Sequence, residues 1–228
     1  MKLWGCPLEV VILDVDGVII DLESGFAANF SEAVEAVGLP LDPFLNHIAA
    51  VKLGIERHRP SFADAAVYFW PNISPTKTIE LETNFRANEN KRTYPAIKGS
   101  IETVKWLRSK NIKLALCTTN TINVLNHRLI SVGIIPAWFL AISTWENGFP
   151  KPDPRALNSI FTVFDSIPKS YMIFVGDWLS DWETARGAGV KFVAVLSGGV
   201  AKETFLSAGV PGNSILNKLA DLKGLLET

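Results

Sequence analysis

Six polar residues stand where short apolar runs stop, and their types could do chemistry together. The run Val10-Val11-Ile12-Leu13 ends in Asp14-Val15-Asp16-Gly17, and Lys113–Cys117 ends in Thr118-Thr119-Asn120. The run 171–175 ends in Gly176-Asp177, with Asp181 one helical turn further on. Lys151 lies in Gly148-Phe149-Pro150-Lys151-Pro152, ahead of a helical pattern. If these runs are neighbouring parallel strands, the polar residues gather at the carboxyl edge of the sheet, where open parallel sheets bind ligands. Side chains repeat every two residues along a strand, so Asp14 and Asp16 are expected to point the same way. Crowded carboxylates repel one another and are costly to desolvate, and a divalent cation removes that conflict. Oxygen ligands select a hard ion, and Mg²⁺ is the usual one beside a phosphate. With a cation bound, one carboxylate is free to attack an electrophile and form an acyl phosphate. A second carboxylate two residues on can move protons, while Thr118 and Lys151 neutralise charge on the transferred group.

The elements that must position these groups are legible in the hydrophobic pattern. The β-branched run at 9–14 suits a strand buried on both faces, and further strands are read at 113–117, 138–142, 171–175 and 191–195. Between them lie helical patterns at 100–109, 123–132, 154–164, 180–188, 202–208 and 216–226. Alternation of this kind implies βαβ crossovers and a doubly wound, Rossmann-like α/β sheet. The stretch 24–90 differs, reading as four amphipathic helices at 24–37, 43–53, 60–69 and 75–90. Pro43, Pro60 and Pro75 stand at first-turn positions. The expected organisation is an α/β core of residues 1–20 and 94–228 with an all-helical insert, residues 21–93.

Composition excludes several classes. Of the 228 residues, 48% are hydrophobic, enough for a buried core and against disorder. A formal net charge of −1 offers no electrostatic footprint for nucleic acid or an anionic membrane. Cys6 and Cys117 form no CxxC pair, so neither a disulfide framework nor a zinc knuckle is indicated. The longest uncharged apolar stretch, 132–145, is broken by Pro136 and too short for a bilayer, and the N-terminus lacks a secretory pattern. A protein of the reducing cytoplasm is expected, and the oligomeric state is not readable. His47, His58 and His127 show no ligand spacing and are assigned structural or surface roles.

Asp14-Val15-Asp16-Gly17-Val18, Thr118 after its apolar run, Lys151-Pro152, and Gly176-Asp177-Trp178-Leu179-Ser180-Asp181 together resemble the four motifs of the haloacid dehalogenase-like superfamily, in the same order. Ala185-Arg186-Gly187-Ala188-Gly189-Val190 resembles the phosphoglycolate phosphatase-like branch, as does a helical cap after the first motif. The resemblance implies a phosphatase acting on a small phosphorylated metabolite. It makes Asp14 the nucleophile and Asp16 the proton donor, then base. Mg²⁺ would be held by Asp14, the Asp16 backbone carbonyl and Asp177, and phosphoryl oxygens by Thr118, Lys151 and the Thr119 amide. Asp181 would orient Lys151 or a metal-bound water.

Two departures stand out. Trp178 occupies a position where these enzymes commonly carry a small residue, leaving open a place along the substrate cavity or packing under the cap. Val18 replaces a frequent threonine, and Asp-Gly-Val also occurs in β-phosphoglucomutase-like members, so a phosphoryl-transfer isomerase is the alternative. A non-catalytic binding protein retaining the fold is a further one. The cationic cap stretch 52–59 nominates Lys52 or Arg57 for an anionic part of the substrate.

Overall fold

The computed structural model describes residues 1–22, 25–56 and 62–227. In chain order the strands and helices open with β1 (Lys2–Leu3), β2 (Cys6–Pro7) and β3 (Val10–Leu13). Four helices follow: α1 (Phe26–Ala36), α2 (Asp42–Lys52), α3 (Phe62–Phe69) and α4 (Pro75–Glu89). The chain then alternates through α5 (Ser100–Ser109), β4 (Lys113–Cys117), α6 (Ile122–Ser131), β5 (Ala141–Ser143), α7 (Asn158–Val163) and β6 (Met172–Gly176). It ends with α8 (Leu179–Ala188), β7 (Lys191–Val195), α9 (Lys202–Ser207), β8 (Ile215–Leu216) and β9 (Leu226–Glu227).

Six strands form one parallel sheet in the order β5-β4-β3-β6-β7-β8. The chain moves outward from β3 through β4 to β5, then returns to pair β6 on the other side of β3. The strand order therefore reverses at β3, which opens a crevice beyond its carboxyl end. Leu13 registers with Leu116 on one side and Val175 on the other, so Asp14, Thr118 and Asp177 emerge at nearly one level. Val10, Val11, Ile12 and Leu13 are all fully buried because helices cover both sheet faces. Separate apolar clusters lie on the two sides, one around Leu116, Leu125 and Val175, the other around Phe174, Phe192 and Phe205.

Helices α1–α4 bury a third cluster of their own, rich in aromatic rings, with Phe30 stacked on Phe44 at 3.9 Å between centroids. Pro75 starts α4, and Ser74 caps it by accepting the Lys77 amide at 3.2 Å. The insert also touches the core where the Lys52 carbonyl accepts from the Ala201 amide and the Thr204 hydroxyl, both at 3.3 Å. Buried His47 pairs with Glu56 at 2.6 Å within this insert.

Three expectations need correction. The strand placed at 138–142 begins only at Ala141, because Pro136–Trp138 forms a 3₁₀ turn and Pro136 lacks a ladder donor. The helix placed at 154–164 opens as a 3₁₀ turn, Pro154–Leu157, before α7. The final helix placed at 216–226 is instead β8, a 3₁₀ segment Leu219–Gly224, and β9. Leu219 and Leu222 are both fully buried three residues apart, a spacing that matches three residues per turn. β9 pairs antiparallel with β1, which pairs with β2, so the two chain ends close a small sheet that the local pattern did not announce. None of the described helices is long and apolar enough to cross a membrane.

Candidate active site

Asp14 follows β3 directly, its amide bonded to the Val175 carbonyl at 2.9 Å, so the nucleophile candidate hangs from the rigid centre of the sheet. Lys151 Nζ lies 2.9 Å from Asp14 Oδ1 and 2.5 Å from Asp181 Oδ1, and all three groups are buried. The other oxygen of Asp181 accepts the backbone amides of Asp177 (3.1 Å) and Trp178 (3.0 Å) at the start of α8. Carboxylate oxygens of Asp14, Asp177 and Asp181 fall within 4.8 Å of one another.

The electrostatics of this cluster are unbalanced. Three carboxylates against one ammonium leave two negative charges, the complement of a divalent cation. Burial pushes Asp14 up to about 7, with Lys151 opposing and Asp181 and Asp16 adding to the rise. Asp177 is held well above the ordinary carboxylate range by burial, then by Asp14 and Asp181. Burial alone would lower Lys151, but the Asp14 and Asp181 carboxylates outweigh it and hold the ammonium charged. Asp177 Oδ1 is buried with no hydrogen-bond partner among the described residues. Gly17, at φ +74°, and Gly198 leave room for this carboxylate, since a Cβ on either would fall on Asp177 Oδ2. An orphaned buried oxygen, surplus negative charge and oxygen donors together fit Mg²⁺. Asp181 has both oxygens engaged and so suits an orienting role rather than ligation.

Asp16 has different surroundings. Gly17 N bonds the Ile20 carbonyl at 2.8 Å, and the chain turns here instead of continuing the strand. Asp14 grips Lys151, whereas Asp16 Oδ2 accepts from Asn120 Nδ2 at 2.7 Å and from Arg128 Nη1. The two carboxylates share no hydrogen-bond partner among the described residues.

Thr118 is buried, and its hydroxyl accepts the Asn120 amide at 3.2 Å. Thr119 is exposed beside it at the carboxyl end of β4. Trp178, half-buried, packs against the apolar cluster that includes Phe174 and Phe192. Lys52 ends α2 where the insert meets Ala201 and Thr204. Arg57 lies outside the described residues. The structure adds Arg128 and Glu89, which the sequence reading missed. A signal was available, because Arg128 lies on the stripe of α6 that buries Leu125 and Leu129, a cation on an apolar face.

With the geometry in view, the model of the haloacid dehalogenase-like hydrolase family matches residues 11–195, spanning Asp14, Thr118, Lys151 and Asp177. The chain belongs to that family. This haloacid dehalogenase-like hydrolase is 28% identical over 226 residues to a phosphoglycolate phosphatase of Pseudomonas fluorescens, covering 96% of this chain and 80% of that one. It is 27% identical over 227 residues to a phosphoglycolate phosphatase of Nitrosococcus oceani, covering 96% of each. A solved hydrolase structure from Pseudomonas syringae shares the fold, with a TM-score of 0.71, 21% identity and coverage of 95% of this chain and 96% of that one.

Proposed function

We propose that this hydrolase is a Mg²⁺-dependent phosphatase that cleaves a small phosphorylated metabolite through an aspartyl-phosphate on Asp14. The observation that carries the reading is the Asp14–Lys151–Asp181 contact beside Asp177, whose buried Oδ1 has no protein partner. Mg²⁺, held by Asp14, the Asp16 backbone carbonyl and Asp177, would supply charge neutralisation between carboxylate and phosphoryl oxygens. Asp14 attacks phosphorus, and the bond from phosphorus to the leaving oxygen breaks. Asp16 gives that oxygen a proton. Asp16, now ionised, takes a proton from a water that attacks the phosphorus, releasing inorganic phosphate and restoring Asp14. Lys151, the Thr118 hydroxyl and the Thr119 amide bind the phosphoryl oxygens. The helical insert acts as a cap that excludes water, with Lys52 and Trp178 assigned to the substrate end.

Phosphoglycolate is the first substrate to test, since relatives across nearly the whole chain carry that activity in their names. Purified protein should hydrolyse p-nitrophenyl phosphate and phosphoglycolate with added Mg²⁺, and lose both activities in Asp14→Asn. Turnover surviving that substitution refutes the covalent reading. Sugar-phosphate interconversion in the presence of a bisphosphate primer, without net phosphate release, would replace the phosphatase by a mutase.

A further inference from the structure

A carboxylate that exchanges protons must present one particular oxygen to the reacting group. Asp16 is gripped on one side only. Its Oδ2 accepts from Asn120 Nδ2 at 2.7 Å and from Arg128 Nη1, while its Oδ1 is buried with no partner among the described residues. Arg128 is itself buried, on α6, and its second nitrogen donates to Glu89 Oε2. Glu89, the last residue of α4, has its other oxygen filled by Asn29 Nδ2 of α1 and the Tyr94 hydroxyl. Arg128 Nη1 also reaches Asn120 Oδ1 at 3.3 Å, and the guanidinium lies 5.3 Å from the Tyr94 ring centroid.

We propose that Arg128, anchored by Glu89, is the positioning residue for Asp16, fixing its carboxylate through Oδ2 so that Oδ1 is the atom that delivers and takes protons. The inference rests on the acid–base assignment of Asp16 above. A guanidinium is a rigid planar fork, and one nitrogen held by Glu89 sets the direction of the other. A structural ion pair would be complete with Glu89 alone. Reaching on to Asp16, together with the Asn120 amide, removes the freedom of that carboxylate to rotate. Two of the groups that hold the chain in place, Asn29 and Glu89, belong to the helical insert, so the insert contributes to the catalytic geometry beneath it.

The test compares leaving groups. p-Nitrophenolate departs without a proton, whereas the alkoxide of phosphoglycolate needs one. First-turnover rates of phosphoryl transfer are measured for both substrates in wild type, Arg128→Lys and Glu89→Gln, with folding checked by circular dichroism. General-acid catalysis is worth about 10²–10⁴-fold, so partial misplacement of the acid in Arg128→Lys should slow phosphoglycolate by about tenfold or more. The p-nitrophenyl ester should slow far less, and Glu89→Gln should show the same asymmetry with a smaller factor. If Arg128→Lys does not fold, Glu89→Gln decides. Equal loss on both substrates, or no loss on either, overturns the proposal. Absence of a hydroxylamine-sensitive phosphate on wild type quenched in its first turnover instead overturns the aspartyl-phosphate reading beneath it, and the two failures are thereby distinguished.

Discussion

Replacing Asp14 by asparagine should stabilise the metal-free protein while abolishing its catalysis. Asp14 is buried among Asp177, Asp181 and a single ammonium, and burial with the neighbouring carboxylates raises it from an ordinary 3.8 to about 7. Between those two values the folded state binds a proton that the unfolded chain has released. Stability conferred by the wild-type residue is therefore present below 3.8 and lost as pH climbs to about 7. At 1.36 kcal/mol per pH unit, the roughly three-unit gap amounts to about 4 kcal/mol. Asparagine keeps the shape and an acceptor for Lys151 but does not titrate. Removing the Asp14 charge also relieves Asp177, which Asp14 helps to push up, so the two effects have the same sign. Urea denaturation in chelator at pH 4.5 and 8 should show the variant gaining on wild type by a few kcal/mol at the higher pH, with the gap narrowing at the lower. Added Mg²⁺ should stabilise wild type more than the variant. An Asp14→Asn protein no more stable than wild type at pH 8 without metal would refute the surplus-charge argument and with it the physical case for a cation.

Other perturbations separate the parts of the site and its frame. Lys151→Met leaves Asp14 and Asp181 without their shared cation, and should cost about 3–5 kcal/mol in urea denaturation, more at pH 8 than at pH 5, with turnover lost. Gly198→Ala puts a methyl where Asp177 Oδ2 lies, so Mg²⁺ affinity measured by calorimetry should fall about tenfold or more. Phe30→Ala removes a ring stacked on Phe44 in the buried cluster of the insert, and should lower stability by about 3–5 kcal/mol, read from the denaturation midpoint.

Much of the core was legible because its signals are local. Val10–Leu13 reads as a strand buried on both faces, and the glycines closing the patterns at 133 and 189 sit at φ +75° and +73°, as helix ends favour. Local signals misled where the decisive contact was distant. The tail 216–226 carries a plausible helical pattern, yet pairing of Leu226 with Leu3 takes its end into a sheet. The alternation rule put Asp14 and Asp16 at one edge, but their distinct partners, Lys151 for one and Asn120 with Arg128 for the other, come from elements remote in the chain.

By itself the sequence determined the chemistry available: which residues end the strands, the carboxylates, hydroxyl and ammonium among them, and a superfamily pattern in which those types recur in order. That information is carried by composition and short-range periodicity, which depend only on neighbours along the chain. Tertiary structure alone decided which oxygen of each carboxylate is engaged. Asp16 and Arg128 are 112 residues apart, Arg128 and Glu89 are 39 apart, and Asn29 and Glu89 are 60 apart. No periodicity spans such distances. Those partners are chosen by the packing of α1, α4 and α6 beside the crevice, where a buried charge left unmatched would cost more than the helices could recover.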